Sequence, residues 1–226
     1  MRFTFYGHAC FRIETGGKHL LFDPFITPNG RASEIDVDSI PADYVVLTHG
    51  HEDHVADVER IVKRTDALIV GNYEIVSWYA AKGITNGHPM NHGGSKTFDF
   101  GTLKMVNAVH SSVLPDGTYG GNPGGYVLRT NDKNVYIAGD TALTLDMKLI
   151  GEYESIDFAV VPIGDNFTMG PEDAAICCEF AGTNHAIGVH FDTFPYIEID
   201  AKKAKETFRA RGISMHVPAI GETIEI

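Results

Sequence analysis

The sequence predicts an α+β fold in one domain that spans residues 1–226. A chain of this length can bury one sizeable hydrophobic core and need not divide into two domains. Apolar residues alternate near the amino terminus, as they do in strands joined by hairpins. Further along, apolar runs typical of buried strands are followed by segments with apolar residues at helical spacing. Strands and helices are therefore both expected.

Composition narrows the class of protein. Hydrophobic residues make up 43% of the chain and charged residues 21%, as in ordinary globular proteins. No apolar run is as long as a membrane span, which needs about 18 residues. The first residues lack the apolar region of a signal peptide. The cysteines are odd in number and two are adjacent, which favours a reducing compartment. We therefore expect a cytoplasmic protein.

Charge bears on the expected partners. The formal net charge is −12, which disfavours non-specific binding to the phosphate backbone of nucleic acids. It does not exclude a nuclease, because bound divalent ions reverse the local sign of the charge. Nucleic acid is nevertheless not expected as a partner. No feature of the sequence determines the oligomeric state.

The first 43 residues are predicted to form strands at 2–6, 9–13 and 18–22, followed by a loop. His8 lies between the first two strands, where a single histidine is either structural or part of a site. Asp23 ends the third strand. It precedes a proline that stops the strand.

The stretch 48–54, Thr-His-Gly-His-Glu-Asp-His, organises the chain. Residues 44–47 before it are predicted to form a buried strand. After it, apolar residues at helical spacing predict a helix to about residue 64. The stretch therefore lies at the carboxyl end of a strand, where α/β folds place their ligand sites.

Metal binding is the chemistry that these side chains favour. Neutral imidazole is a common metal ligand, and carboxylate oxygens bind the same borderline cations. His49 and His51 can point at one ion. Asp53 and His54, further along the turn, can point at a second. The alternatives are a solvated His-rich turn and a purely structural metal site.

Residues 67–125 are predicted to form a strand, a helix from about 73 to 82, a polar loop that contains His92, and a hairpin. The second strand of the hairpin delivers His110 at its end. Residues 115–125 hold five glycines and two prolines. They form a loop that either covers a site, cradles an anion, or crosses the surface.

The remainder of the chain repeats the succession of strands and helices. A hairpin leads into Gly139-Asp140-Thr141, where Asp140 is either a ligand or the N-cap of a helix at 143–150. Asp165 follows the next strand. A helix from Pro171 and another strand then lead to His190, and a last helix is capped by Asp200.

The spaced elements resemble the signature of the metallo-β-lactamase superfamily. The resemblance rests on His-x-His-x-Asp-His at 49–54, then His110, Gly-Asp-Thr at 139–141 and His190. Flanking motifs make the chain similar to small cytoplasmic metal-dependent hydrolases related to ascorbate-6-phosphate lactonases. The resemblance implies a four-layer αββα sandwich with one or two metals at one edge of its sheets, and it suggests that the 115–125 loop separates two similar halves.

The resemblance also implies a ligand set. One ion would be held by His49, His51 and His110, and the other by Asp53, His54 and His190, with Asp140 bridging them. Asp23 would support the histidine turn, although an exposed carboxylate that caps the loop is the alternative. Further candidates for the pocket or the support of the ligands are His8, His92 and Asp165.

The function expected from this set is a dinuclear metal-dependent hydrolase. A metal-bridged hydroxide would attack an ester, lactone, thioester or phosphodiester of a small molecule, with Asp53 and Asp140 as the candidates for proton transfer. Two divalent ions are expected, zinc first, with manganese, iron or nickel compatible with the same ligands. Two alternatives stay open: a non-catalytic protein that binds a ligand through its metals, and a di-iron redox enzyme. A homo-oligomer is plausible from the family.

Overall fold

The computed structural model describes residues 1–226 as four layers. Two seven-stranded sheets pack face to face, and helices cover the outer face of each sheet. The layers confirm the αββα sandwich that the resemblance implies. No helix is long and apolar enough to cross a membrane.

The first sheet has the order β14-β1-β2-β3-β4-β5-β6. Its strands β14 to β3 pair antiparallel, whereas β3 to β6 pair parallel. The carboxyl ends of the parallel strands therefore meet at one edge. The strands are β1 Arg2–Gly7, β2 Cys10–Thr15, β3 Lys18–Phe22, β4 Tyr44–Val46, β5 Leu68–Asn72, β6 Gly87–Met90 and, at the end of the chain, β14 Thr223–Glu225.

The second sheet repeats this plan in the order β13-β12-β11-β10-β9-β8-β7. Strands β7 to β10 pair antiparallel and β10 to β13 pair parallel. The strands are β7 Ser95–Phe98, β8 Gly101–Asn107, β9 Gly124–Arg129, β10 Asn134–Ile137, β11 Phe158–Pro162, β12 His185–Val189 and β13 Ser214–His216.

Six helices form the outer layers. Three cover the first sheet and three cover the second. Three short 3₁₀ turns lie in the connections, at Gly30–Ala32, Val37–Ser39 and Pro195–Ile197. The helices are α1 Glu52–Val55, α2 Val58–Thr65, α3 Tyr73–Ala81, α4 Asp146–Tyr153, α5 Pro171–Phe180 and α6 Ala201–Ala210.

The expectation of a single helix after the histidine-rich stretch is wrong. Two helices, α1 and α2, replace it, and they are separated at Asp57. The Asp57 carboxylate accepts hydrogen bonds from the amides of Ile26 and Thr27 at 2.6 and 2.8 Å. Its own amide donates to the carbonyl of Pro24. The helix is interrupted because Asp57 binds this distant loop.

The boundary between the two halves also differs from the expectation. It lies at residues 91–94, between β6 and β7, and not in the 115–125 loop, which falls inside the second sheet between β8 and β9. Residues 87–90, expected in a loop, form the edge strand β6. Pro89 fits there because an edge strand has one side without ladder bonds.

The sheets enclose a core of large apolar side chains. Phe3, Phe11 and Phe22 stack on one another between the sheets, with ring centroids 4.9 and 4.7 Å apart. Alternate residues of the same strands face the helices. Because both faces of the central strands are buried, their positions are fixed relative to the edge where they end.

A substitution of Gly125 in β9 tests how closely the strands of the second sheet pack. A Cβ there would lie 2.5 Å from the carbonyl oxygen of Ile137 and 2.7 Å from that of Ala138. Backbone atoms of a central strand cannot easily move. We expect Gly125→Ala to lower the free energy of unfolding by about 2–3 kcal/mol in urea titrations.

Gly30 is the matched control for this substitution, because a Cβ there would meet nothing within 4 Å. Gly30→Ala should change the free energy of unfolding by less than about 0.5 kcal/mol. Equal stability of the two variants would contradict the packing described here.

Candidate metal centre

The candidate site residues lie where strands of both sheets end. His8 occupies the turn between β1 and β2, and the 48–54 stretch joins β4 to α1. His190 directly follows β12. Each residue is thus positioned by a strand that the core holds on both faces. The others follow strand ends in the same way: Asp23 after β3, His110 after β8 and Asp140 after β10.

One group of potential ligands contains three histidines. His49, His51 and His110 each offer a ring nitrogen, and these atoms lie within 4.8 Å of one another. The Nε2 atom of His49 is 3.0 Å from Nδ1 of His51. Two nitrogen ligands of one zinc ion with tetrahedral geometry are separated by a similar distance, about 3–3.5 Å. The three side chains therefore fit a single ion.

A second group contains four residues. His8, Asp53, His54 and His190 offer ligand atoms that also lie within 4.8 Å of one another. Nε2 of His8 is 3.1 Å from Oδ2 of Asp53, and Nδ1 of His8 is 2.9 Å from Oγ1 of Thr193. Because an ionised carboxylate only accepts hydrogen bonds, His8 donates through Nε2 to Asp53.

Asp140 lies between the two groups. Its Oδ2 is 3.0 Å from Nε2 of His190, 3.3 Å from Nε2 of His54 and 3.6 Å from Nε2 of His110. The alternative of a helix cap does not apply, because α4 begins only at Asp146. A single buried carboxylate oxygen therefore approaches imidazoles of both groups.

Asp23 supports the histidines from behind. It is buried, with 2% of its surface exposed, so the alternative of an exposed turn residue does not apply. Its Oδ1 accepts from the amide of Thr48 at 2.9 Å, and its Oδ2 accepts from the Thr48 hydroxyl at 2.6 Å. Oδ2 is also 2.9 Å from Nδ1 of His54.

These bonds determine which ring nitrogens carry protons. His54 donates through Nδ1 to Asp23, which leaves the Nε2 lone pair directed towards Asp140. The Thr48 hydroxyl donates to Asp23 and so accepts from Nδ1 of His49, 3.0 Å away. Nε2 of His49 then carries no proton, and its lone pair can bind a metal. One carboxylate thus prepares two imidazoles as ligands.

The ligand atoms fit a metal on chemical grounds. Nε2 of His54 is buried and has no hydrogen-bond partner, because its 3.3 Å approach to Asp140 lacks hydrogen-bond geometry. A nitrogen lone pair and a carboxylate oxygen that face each other at this distance repel unless a cation lies between them. This orphaned atom is the observation by which the site fits divalent ions.

The pKa shifts of these residues also indicate a site for cations. Burial lowers the pKa of His49 well below its ordinary value, so the ring stays neutral. Burial would also lower the pKa of His54, but the carboxylates of Asp140 and Asp23 raise it well above its ordinary value. Without a metal ion, a proton on Nε2 therefore takes the place of the cation. For Asp140, burial would raise the pKa, yet His190 and His54 lower it well below the usual range. The surroundings of Asp140 therefore favour positive charge.

Backbone strain is concentrated at the same edge. His8, Asp23 and His190 have φ angles of 55°, 42° and 56°. Residues other than glycine adopt this left-handed region sparingly, and they do so where the surrounding structure requires it. The amide of His190 donates to the carbonyl of His8 at 2.7 Å, which joins the two strained turns across the sheets.

Three threonines complete the site without having been predicted from the sequence. Thr48 links Asp23 to His49, and Thr193 contacts His8. The Thr141 hydroxyl accepts from the amide of Val109 at 2.9 Å, which ties the turn of Asp140 to the approach of His110. Their only signal in the sequence is that each lies within three residues of a candidate ligand.

The glycine-rich loop is attached to this edge. The Ser112 hydroxyl accepts from the amide of Gly50 and donates to the carbonyl of Gly120, both at 3.0 Å. Amides of Gly117, Thr118 and Gly120 form bonds within the loop. These amides are therefore not available to an anion. Because Ser112 bonds both the loop and the amide of Gly50, the loop instead holds the histidine turn in place.

Two candidates lie away from the other candidate residues. His92 directs its Nε2 at the carbonyl of Pro123, 2.8 Å away, and borders a groove beside α4. Asp165 is exposed and accepts from the amide of Asn166. The structure does not bring either side chain to the other candidates.

Comparisons with known proteins agree with this fold. Residues 2–190 match the family model of the beta-lactamase superfamily domain. The chain is 57% identical over 226 residues to a UPF0173 metal-dependent hydrolase of Flavobacterium johnsoniae, and the match covers 100% of both chains. It is 44% identical over 231 residues to the UPF0173 metal-dependent hydrolase YtkL of Bacillus subtilis, again over 100% of both.

A solved structure extends the comparison. Igni18, a metallo hydrolase from the archaeon Ignicoccus hospitalis, superimposes with a TM-score of 0.89 and 33% identity, covering 99% of this chain and 97% of that chain. The fold and the match are those of the metallo-β-lactamase superfamily, which confirms the resemblance to that superfamily. Within that superfamily, the chain belongs to the UPF0173 family of metal-dependent hydrolases. The relation to ascorbate-6-phosphate lactonases stays a prediction.

Asp23→Asn tests the support of the histidines. Three donors share the two carboxylate oxygens, and an amide offers only one acceptor, so at least one donor loses its partner. We expect the affinity for zinc to fall about 10- to 100-fold. Competition with a chromophoric chelator measures it.

Asp38→Asn is the matched control. Asp38 accepts two hydrogen bonds from Arg60 at the surface, and its replacement should leave the affinity for zinc unchanged. If Asp23→Asn bound zinc as tightly as this control, Asp23 would not support the ligands.

Proposed function

We propose that the protein is a dinuclear hydrolase. The observation that carries the proposal is the position of Asp140 Oδ2, within 3.6 Å of ring nitrogens from both groups of potential ligands. A shared carboxylate allows two cations to lie close together, because one anion screens both of them.

The proposed ligands follow from the two groups. His49, His51 and His110 would hold one ion. Asp53, His54 and His190 would hold the other, and Asp140 would contact both. His8 belongs to the second group by distance, but its hydrogen bond to Asp53 gives it the role of orienting that carboxylate. Zinc fits the histidine-rich set best, and manganese, iron and nickel accept the same ligands.

The chemistry suits the hydrolysis of an ester, lactone, thioester or phosphodiester. Divalent ions bound here would bring the pKa of a water molecule near neutrality and polarise the substrate oxygen. The side chain of Asp53 is 29% exposed, whereas that of Asp140 is only 4% exposed. Asp53 is therefore the more accessible of the two candidates for proton transfer, while Asp140 fixes the geometry.

The burial of the cysteines supports a cytoplasmic location. Cys10, Cys177 and Cys178 are free and buried, and burial raises the pKa of all three thiols. Such thiols are neutral and unreactive, and a reducing compartment keeps them so. None of them belongs to the candidate metal centre.

Metal content separates the two proposed positions. We expect two equivalents of zinc per chain after loading and gel filtration. His110→Ala and His190→Ala should each lose one equivalent, because each removes a ligand of only one ion, while Asp140→Ala should weaken both sites. His92→Ala, which alters a histidine outside the groups, should keep two. If the single substitution His110→Ala removed both equivalents, the assignment would be wrong.

Turnover tests the hydrolase itself. We expect a panel of aryl esters, lactones, thioesters and phosphodiesters to include a substrate whose hydrolysis stops on chelation and returns with zinc or manganese. Undiminished turnover in metal-free protein would contradict the proposal. Two bound zinc ions with no turnover on any member would favour a ligand-binding protein, and bound iron with a visible absorption band would favour a redox enzyme.

A further inference from the structure

Lysine and arginine are scarce at the edge that carries the candidate metal centre. Five segments follow strands there and contain 55 of the 226 residues, ten Asp or Glu residues and none of the 18 Lys and Arg residues. Arg31, in the loop after β3, lies near this edge but faces Glu198 at 3.8 Å. The five segments are 48–57, 108–123, 138–146, 163–171 and 190–200.

Large apolar side chains are exposed at the same edge. Six of the ten exposed large hydrophobic residues of the chain lie in these five segments, although the segments make up only about a quarter of its length. Exposed apolar groups around a polar centre are typical of a site that binds a small molecule.

One aromatic residue contacts the centre, and two exposed ones pack together on segments of the same edge. Phe194 lies 5.5 Å from the ring of His8, which in turn contacts Asp53. Two residues further on, Tyr196 is 74% exposed and packs edge-on against Phe167, with ring centroids 6.1 Å apart. These three aromatic residues, Phe167, Phe194 and Tyr196, are called the aromatic wall below.

The backbone that presents Phe167 is unusual. Asp165 and Asn166, directly before it, have φ angles of 61° and 53°. Two consecutive non-glycine residues in the left-handed region form a costly turn. The turn places the ring of Phe167, which is 51% exposed, beside the exposed ring of Tyr196. A strained turn that exposes an apolar side chain indicates binding and not packing.

We propose that the aromatic wall receives an uncharged, apolar part of the substrate, such as an aryl group, and that the site disfavours substrates with a phosphate or carboxylate on that part. This inference rests on the proposed hydrolase function. Away from the metals, an anionic substituent would find no lysine or arginine on the five segments and would meet their carboxylates. An aryl group would stack on the wall and displace water from it.

Binding of hydroxamates tests the inference independently of turnover, because the hydroxamate group binds the metals. Zinc-loaded protein would be titrated by calorimetry with acetohydroxamate, benzohydroxamate and 4-carboxybenzohydroxamate. We expect benzohydroxamate to bind about tenfold more tightly than acetohydroxamate, and the carboxylated compound to lose that advantage. Phe167→Ala combined with Tyr196→Ala should remove the preference for the phenyl ring and keep two zinc ions.

Tyr153→Ala is the matched control, since Tyr153 is an aromatic residue that is 78% exposed on α4, away from the five segments. It should keep the phenyl preference. Equal binding of the carboxylated compound, or a phenyl preference that survives the double variant, would overturn the inference. So would a double variant that changes only the sedimentation coefficient, because a second copy of the chain would then cover the wall.

Failure of the proposed function gives a different pattern. A phenyl preference that depends on the wall, together with no hydrolysis of any tested substrate, would contradict the hydrolase and support the inference about the ligand. If none of the three hydroxamates bound to zinc-loaded protein, the proposed function and the inference would both be wrong.

Discussion

The buried carboxylate of Asp23 is the constraint on which the rest of the centre depends. Imidazoles bind metals only through a lone pair, and free histidine exchanges its proton between two nitrogens. Asp23 removes this choice for His54 directly and for His49 through the hydroxyl of Thr48. Its position follows from β3, which both layers of the first half hold in place. The core thus determines the tautomers of the ligands.

The second constraint is that the two halves of the chain meet at one edge. The first half supplies the 48–54 stretch and the second half supplies His110, Asp140 and His190. Neither half holds a complete site. The contact of Asp140 with His54, and the bond between the backbones of His190 and His8, cross from one sheet to the other. Assembly of the centre therefore requires both halves of the sandwich to be packed together.

Much of this could be predicted from the sequence, because alternation of strands and helices and polar residues at strand ends are local signals. The candidates in the 48–54 stretch follow from these signals, whereas His110, Asp140 and His190 were assigned through the resemblance to the superfamily. The interruption at Asp57 was not predicted, since its cause is a hydrogen bond to Ile26 and Thr27. The roles of Thr48 and Thr193 likewise depend on partners far away in the chain. His92 had the same local signal as the ligands but lies elsewhere.

Anomalous diffraction from crystals of the zinc-loaded protein tests the central claim most directly. Data collected on both sides of the zinc absorption edge should show two peaks. One should lie among His49, His51 and His110, the other beside His54 and His190, and both should contact the carboxylate of Asp140. A single peak, or two peaks of which one lies away from Asp140, would contradict a dinuclear centre organised by that residue.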